Sequence, residues 1–143
     1  MTFTPKQRAE ASAAAMWSGD RASAWFGMSL DSVDEGTATL SITVEAHHTN
    51  GHAICHGGVI FSLADSAFAF ACNSRNQSTV AQHNTITFIA PGNLGDRLIA
   101  VAREVSLSGR SGIYDVTVKT DTGKVIAEFR GCSRAVPGTL FEE

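Results

Sequence analysis

One segment constrains this chain more than any other. Residues 57–72 read GGVIFSLADSAFAFAC, a run long enough for four helical turns. Wound as an α-helix, Val59, Ile60, Phe61, Leu63, Ala64, Ala67, Phe68, Ala69, Phe70 and Ala71 spread round its whole circumference rather than along one stripe. Such a helix is expected to be buried on nearly all sides, most simply by a sheet curled around it. It is shorter than the ~20 residues a membrane span needs, and it carries an acid, Asp65. A carboxylate in a segment otherwise fit for a core calls for a reason, because desolvation disfavours its charged form.

The rest of the chain supplies the sheet. "TATLSITVE" (37–45) alternates strictly, with Ala38, Leu40, Ile42 and Val44 on one side, the pattern of a half-buried strand. Further strands are expected over residues 25–33, 79–89, 97–107, 111–120 and 124–134, with turns at "DEG", "PGNLGD", 108–110 and "DTG". An N-terminal helix is marked by "TPKQ": Thr4 as cap, Pro5 at the first helical position and Gln7 reaching back, followed by alanines as far as Gly19. Residues 46–56, "AHHTNGHAICH", form a polar loop. Short turns between sequential strands and one long helix predict a single α+β domain, residues 1–143, on an antiparallel sheet. At 143 residues the chain is large enough to bury a core without staples. A net charge of −3 with no basic block argues against a nucleic-acid partner. Three cysteines (Cys55, Cys72, Cys132) in apolar segments fit reduced thiols, and with no signal-peptide plan at the start they predict a soluble, cytoplasmic protein.

A buried central helix wrapped by a curved antiparallel sheet, with "NGHAICHGGVIFSLADSAFAFACNS" (50–74) at its centre, resembles the PaaI branch of hotdog-fold acyl-CoA thioesterases, the phenylacetate-degradation type. The likeness continues through "ITFIAPGNLGDRL", "GRSGIYDV" and "AEFRG". The resemblance implies a hotdog fold with an extra N-terminal helix. It implies hydrolysis of aromatic acyl-CoA thioesters, of the phenylacetyl-CoA and hydroxyphenylacetyl-CoA type, to free acid and CoA. It implies no cofactor or metal, and a homo-oligomer of the kind usual in that family, a tetramer built as a dimer of dimers. The family's Asn in the loop, Gly at the helix start and Asp on the helix carry over to Asn50, Gly57 and Asp65. A medium- or long-chain acyl-CoA thioesterase is the nearest alternative. A hotdog hydratase is disfavoured because no His follows Asp65 in the next turns, and a non-catalytic CoA-ester binding module has no need of a buried acid.

The chemistry agrees with those residue types. The first turn of a helix has unpaired N–H groups and a partial positive charge. Gly57 and Gly58 would let a carbonyl approach that bare backbone as an oxyanion hole. Asp65, eight residues on, stands roughly 12 Å along the same helix axis. The two groups are therefore expected to come from different subunits, with two antiparallel central helices giving two equivalent sites. Asp65 would be nucleophile or general base, held ionised by hydrogen bonds from Ser66 or the facing chain. Asn50 either orients the thioester or water, or simply makes the Asn-Gly turn.

Other candidates carry less. His56 would touch the acyl or pantetheine part, and Phe61 and Phe68 would line an apolar pocket or serve as core. Arg110, Ser111 and Gly112 resemble the family's CoA-contact turn, with Arg75 and Arg103 behind them. His47, His48, His52 and His56 cluster near Cys55, but at no standard zinc spacing, and His83 has no assigned role. No G-x-S-x-G elbow is present.

Overall fold

The computed structural model describes residues 2–143. Helix α1 (Pro5–Trp17) begins with the expected capping box: Gln7 N–H donates to the Thr4 hydroxyl at 3.1 Å, and Thr4 N–H donates to the Gln7 side chain at 3.0 Å. Its small residues Ala9, Ser12 and Ala13 are buried, which lets the helix lie close against strand β1 (Ser29–Asp34). Trp17 closes its C-terminal end on Phe70, ring centroids 6.0 Å apart.

Between these elements the sequence expectation was wrong. Trp25 and Phe26, expected to begin a strand running to Val33, instead end a short helix, α2 (Arg21–Phe26), and the strand starts at Ser29. The Asp20 carboxylate caps it by accepting from Ser23 N–H at 2.9 Å, and Gly27 stops it in the left-handed conformation at φ 82°. A strong cap followed by a glycine stop outweighs the strand preference of Trp25 and Phe26.

The remaining strands are β2 (Thr37–Thr43), β3 (Thr79–Phe88), β4 (Arg97–Ser108), β5 (Ser111–Thr120) and β6 (Val125–Ala135). They form one antiparallel sheet in the order β1-β2-β4-β5-β6-β3. The long helix α3 (Gly57–Cys72) lies across its concave face. Leu63, Ala64, Ala67, Phe68 and Ala71 of α3 pack with Leu40, Ile42, Leu98, Tyr114, Val116, Val118 and Phe129 into the core, all nearly inaccessible. Alanines at 100, 102 and 127 and glycine at 131 let the helix approach. A Cβ on Gly131 would stand 2.8 Å from the Phe68 ring.

This is the hotdog arrangement, with one correction. The sheet is not closed, and within one chain α3 is not enclosed on every side. Phe61, Ser62, Asp65, Ser66 and Ala69 remain half-buried. Their spacing places them on one face of the helix, turned from the core. The strand β3 is an edge, its outer hydrogen-bonding side unpaired, and near it Val80, Phe88 and Ile89 are about half exposed at 51%, 52% and 55%. No helix among the described residues is long and apolar enough to cross a membrane.

Candidate active site

The loop before α3 is held by backbone bonds. Cys55 N–H donates to Gly92 O at 2.8 Å, and Asn50 N–H to Ile54 O at 2.8 Å. The Asn50 side chain divides its work. Its Oδ1 accepts from His52 N–H at 2.9 Å and closes the turn. Its Nδ2 makes no hydrogen bond among the described residues and stays available as a donor.

At the start of α3 the two glycines are not equivalent. The His56 side chain caps the helix, its Nδ1 accepting from Gly58 N–H at 2.8 Å. Val59 and Ile60 N–H both donate to His56 O. Gly57 N–H alone in this turn has no partner among the described residues. A donor with the helix's positive end behind it can bind an oxygen that carries developing negative charge. Two glycines sharing that task is thus narrowed to one, and His56 acts as a cap for the backbone rather than standing free. The absent Cβ at Gly57 is filled from the other side by the Phe88 ring, 3.1 Å from where it would stand. Asn50 and Gly57 line the same pocket, of about 450 Å³, together with Ile60, Phe88 and Pro91.

Asp65 opens elsewhere, into a pocket of about 330 Å³ between α2 and α3 lined by Phe26, Met28, Phe61, Ser62 and Ser66. Burial raises its carboxyl above the ordinary carboxylate range, and a hydrogen bond from Asn84 Nδ2 to Oδ1 at 3.0 Å partly opposes this. Ser66 is not the partner expected for it: the Ser66 hydroxyl meets Ser23 Oγ at 3.2 Å, and Ser23 in turn donates to Asp20 Oδ2 at 2.7 Å. Asn84 escaped sequence reading because the register of β3 against α3 decides its neighbour. The available signal was an amide alternating with Ile86 and Phe88 on the inward face of a strand.

The same strand measures the gap between the two groups. Asn84 lies beside Asp65, and Phe88, four residues on, lies beside Gly57. Four strand residues span ~13 Å, which agrees with the ~12 Å of eight helical residues. The structure brings Asn50 and Gly57 together and leaves Asp65 in a separate pocket of the same chain.

The remaining candidates separate clearly. Phe61 borders the Asp65 pocket and meets Phe129 edge-on at 5.5 Å. Phe68 is core, 1% exposed and packed on Tyr114 and Phe129, so its ring has no face on a pocket. The Arg110 turn is tighter than a five-residue loop. Ser108 pairs with Ser111, leaving Gly109 and Arg110 as a two-residue hairpin turn with Gly109 at φ 58°. Ser111 and Gly112 therefore belong to β5, and Gly112 is buried where a Cβ would meet Ser133 Oγ at 2.7 Å. Arg110 is exposed and forms no ion pair among the described residues. Arg75 is engaged by Glu104 and Glu35, and Arg103 lies 3.9 Å from Asp115.

His48 is 2% exposed with both ring nitrogens in use, Nδ1 accepting from Glu45 N–H and Nε2 bonded to Phe26 O. A metal at the neighbouring Glu45, His47 and His48 would have to break one of those bonds. His52 and His83 are exposed. Burial pushes the Cys55 thiol up to about 11 and the Cys72 thiol up to about 12, so neither is a ready thiolate nucleophile.

Comparison with known proteins points one way. The thioesterase superfamily model matches residues 52–127. The acyl-coenzyme A thioesterase PaaI of Escherichia coli is 43% identical over 129 residues, covering 90% of this chain and 92% of that protein. The solved structure of the E. coli PaaI protein from the phenylacetic acid degradation operon superposes with a TM-score of 0.93 at 41% identity, covering 95% of this chain and 99% of that one. Human acyl-coenzyme A thioesterase 13 is 32% identical over 108 residues, covering 72% of this chain and 76% of that protein.

Proposed function

The chain belongs to the thioesterase superfamily as an acyl-CoA thioesterase of the PaaI type, and from that premise we propose that it hydrolyses aromatic acyl-CoA thioesters, phenylacetyl-CoA and its ring-hydroxylated relatives, at a site shared by two subunits. The observation that carries the shared site is the separation of the two half-sites. Asn50 and Gly57 occupy one pocket and Asp65 another, on a chain whose β3 edge is unpaired. Antiparallel pairing of two β3 edges would cover that edge and the outward face of α3, and would carry each Gly57 towards the neighbouring Asp65. Two such dimers form the tetramer.

The thioester carbonyl oxygen then accepts from Gly57 N–H, and Asn50 Nδ2 orients the thioester or the water. Asp65 of the neighbouring subunit removes a proton from water as its oxygen bonds to the carbonyl carbon. The negative charge that gathers on the carbonyl oxygen is held by Gly57 N–H at the positive end of α3. Collapse breaks the C–S bond, and the proton taken up by Asp65 passes to the departing sulfur, so that CoA leaves as its thiol and Asp65 is again a carboxylate. Burial raises the Asp65 carboxyl and makes it a stronger base for that proton; the same change would strengthen it as a nucleophile, so the two roles are separated by experiment. Phe26, Met28 and Phe61 supply the apolar surface for a ring. Arg110 supplies an uncommitted cation for a CoA phosphate.

Thiol release measured across phenylacetyl-, hydroxyphenylacetyl-, octanoyl- and palmitoyl-CoA tests the substrate class. The aryl esters are expected to have the highest kcat/KM, and a clear preference for an alkyl chain would overturn this reading. Single turnover in ¹⁸O-water separates the two roles of Asp65. Label in the Asp65 carboxylate supports the nucleophile, and label confined to the released acid, with no mixed anhydride trapped by hydroxylamine, supports the base.

A further inference from the structure

The inward face of β3 is built for apolar contact, yet its alternating positions read Asn84, Ile86, Phe88. Ile86 packs against the core, and Phe88 covers Gly57. Asn84 pairs in register with Gly131 of β6, in a part of the sheet where Phe68 lies against the bare backbone. An apolar residue would suit that position better for packing alone. The amide has one bond, from Nδ2 to Asp65 Oδ1 at 3.0 Å, and this is the only hydrogen bond to the Asp65 side chain among the described residues. Its other end, Oδ1, is buried without a partner, one of two such side-chain atoms among the described residues. Buried polar groups are nearly always satisfied, and one left unsatisfied calls for a functional explanation. Reversing the amide would set its oxygen against the carboxylate, so the charge on Asp65 dictates which way Asn84 points.

The geometry points to Asn84 as a positioning residue for thioester hydrolysis: its amide N–H ties Asp65 Oδ1, fixes the rotamer of the carboxylate and leaves Oδ2 to take the proton from water. The inference rests on Asp65 being the catalytic carboxylate. A donor to the charged form favours ionisation, so Asn84 also limits how far burial raises the Asp65 carboxyl. The other titratable groups around Asp65 are few. Asp20 faces it from the start of α2 across the pocket, and the Cys72 thiol lies further along α3, held protonated by burial. His83, next to Asn84, alternates to the exposed face of β3 and pairs in register with Cys132.

The test is Asn84→Leu, which keeps the approximate shape, restores the apolar pattern and removes the orphaned oxygen together with the donor, with Asn84→Ala as a second variant. Both are assayed for kcat and KM on phenylacetyl-CoA from pH 4 to 9, beside thermal unfolding. The expected result for Asn84→Leu is a thermal midpoint at or above wild type, kcat lowered about 10- to 100-fold, KM changed little, and the acid limb of the kcat profile moved to higher pH. Asn84→Ala should move the same limb in the same direction whatever its stability. Asn84→Ser, which keeps a shorter donor, should recover part of kcat. Wild-type kcat and an unmoved acid limb in folded Asn84→Leu would overturn the inference while leaving Asp65 in place. Wild-type turnover in Asp65→Asn would remove the underlying reading itself.

Discussion

The first and third turns of α3 lie on one helix and do opposite things. At the first, side chains are withdrawn. Gly57 offers backbone, its N–H is the one in that turn left without a partner among the described residues, and even the space of its missing Cβ is taken by Phe88. At the third, a carboxylate is added against the cost of burial and steadied by an amide from the neighbouring strand. The first turn is electropositive by its backbone, the third electronegative by its side chain. Their separation of ~12 Å is what the proposed two-subunit site rests on. A reaction needing both must take them from two helices.

The largest expected effect falls on the third turn. Asp65→Asn should lower kcat about 10²- to 10⁴-fold while the Asn84 amide keeps an oxygen to bind. Stability should move the other way. Burial raises the Asp65 carboxyl in the folded chain. Its contribution to folding is therefore fully present below the unfolded value and lost as pH rises through the folded one. At neutral pH the variant should unfold at the same or a higher temperature than wild type; a marked fall would mean that Asp65 is a structural acid.

At the first turn, Gly57→Ala should lower kcat about 10- to 100-fold, by pressing a methyl into the Phe88 ring and displacing the free N–H. Gly58→Ala should lower kcat less, since that N–H is already spent on His56, although its Cβ would stand 3.0 Å from His56 Nδ1 and should lower the thermal midpoint by loosening the cap. Equal losses at the two positions would erase the distinction drawn between them. Co-expression of Asp65→Asn with Gly57→Val sharpens the comparison directly. If each site borrows its acid from the other subunit, random dimers should recover about one quarter of wild-type activity, because one of two sites is intact in half of the dimers. No recovery would place both groups of a site in one chain. The smallest effect belongs to Arg110→Ala, a rise in KM of about 3- to 10-fold at low salt with kcat unchanged, fading as salt screens the phosphate contact.

Legibility followed range. The capping box of α1, the alternation of β2 and the apolar run of α3 are written within a few residues, and the structure holds all three. Residues 25–26 lie in a helix rather than the expected strand because the Asp20 cap and the Gly27 stop define a short helix around them. Phe61 and Phe68, seven residues apart on one helix, could not be told apart by type. One borders the Asp65 pocket, and the other is sealed against Gly131. Of the two partners expected for Asp65, Ser66 or the facing chain, Ser66 bonds elsewhere, and within the chain the donor is Asn84, nineteen positions away.

The residues by themselves determined the elements, the buried acid and the bare helix start, because caps, periodicity and the absence of a side chain act within a turn or two of chain. Only the tertiary structure decided which glycine keeps a free N–H, which amide faces the acid, and that Asn50 and Gly57 share a pocket Asp65 does not enter. Those outcomes depend on how β3 registers against α3 and how the His56 ring folds back on the helix. Such contacts are set by packing between segments distant in sequence, and no local pattern of residues encodes them.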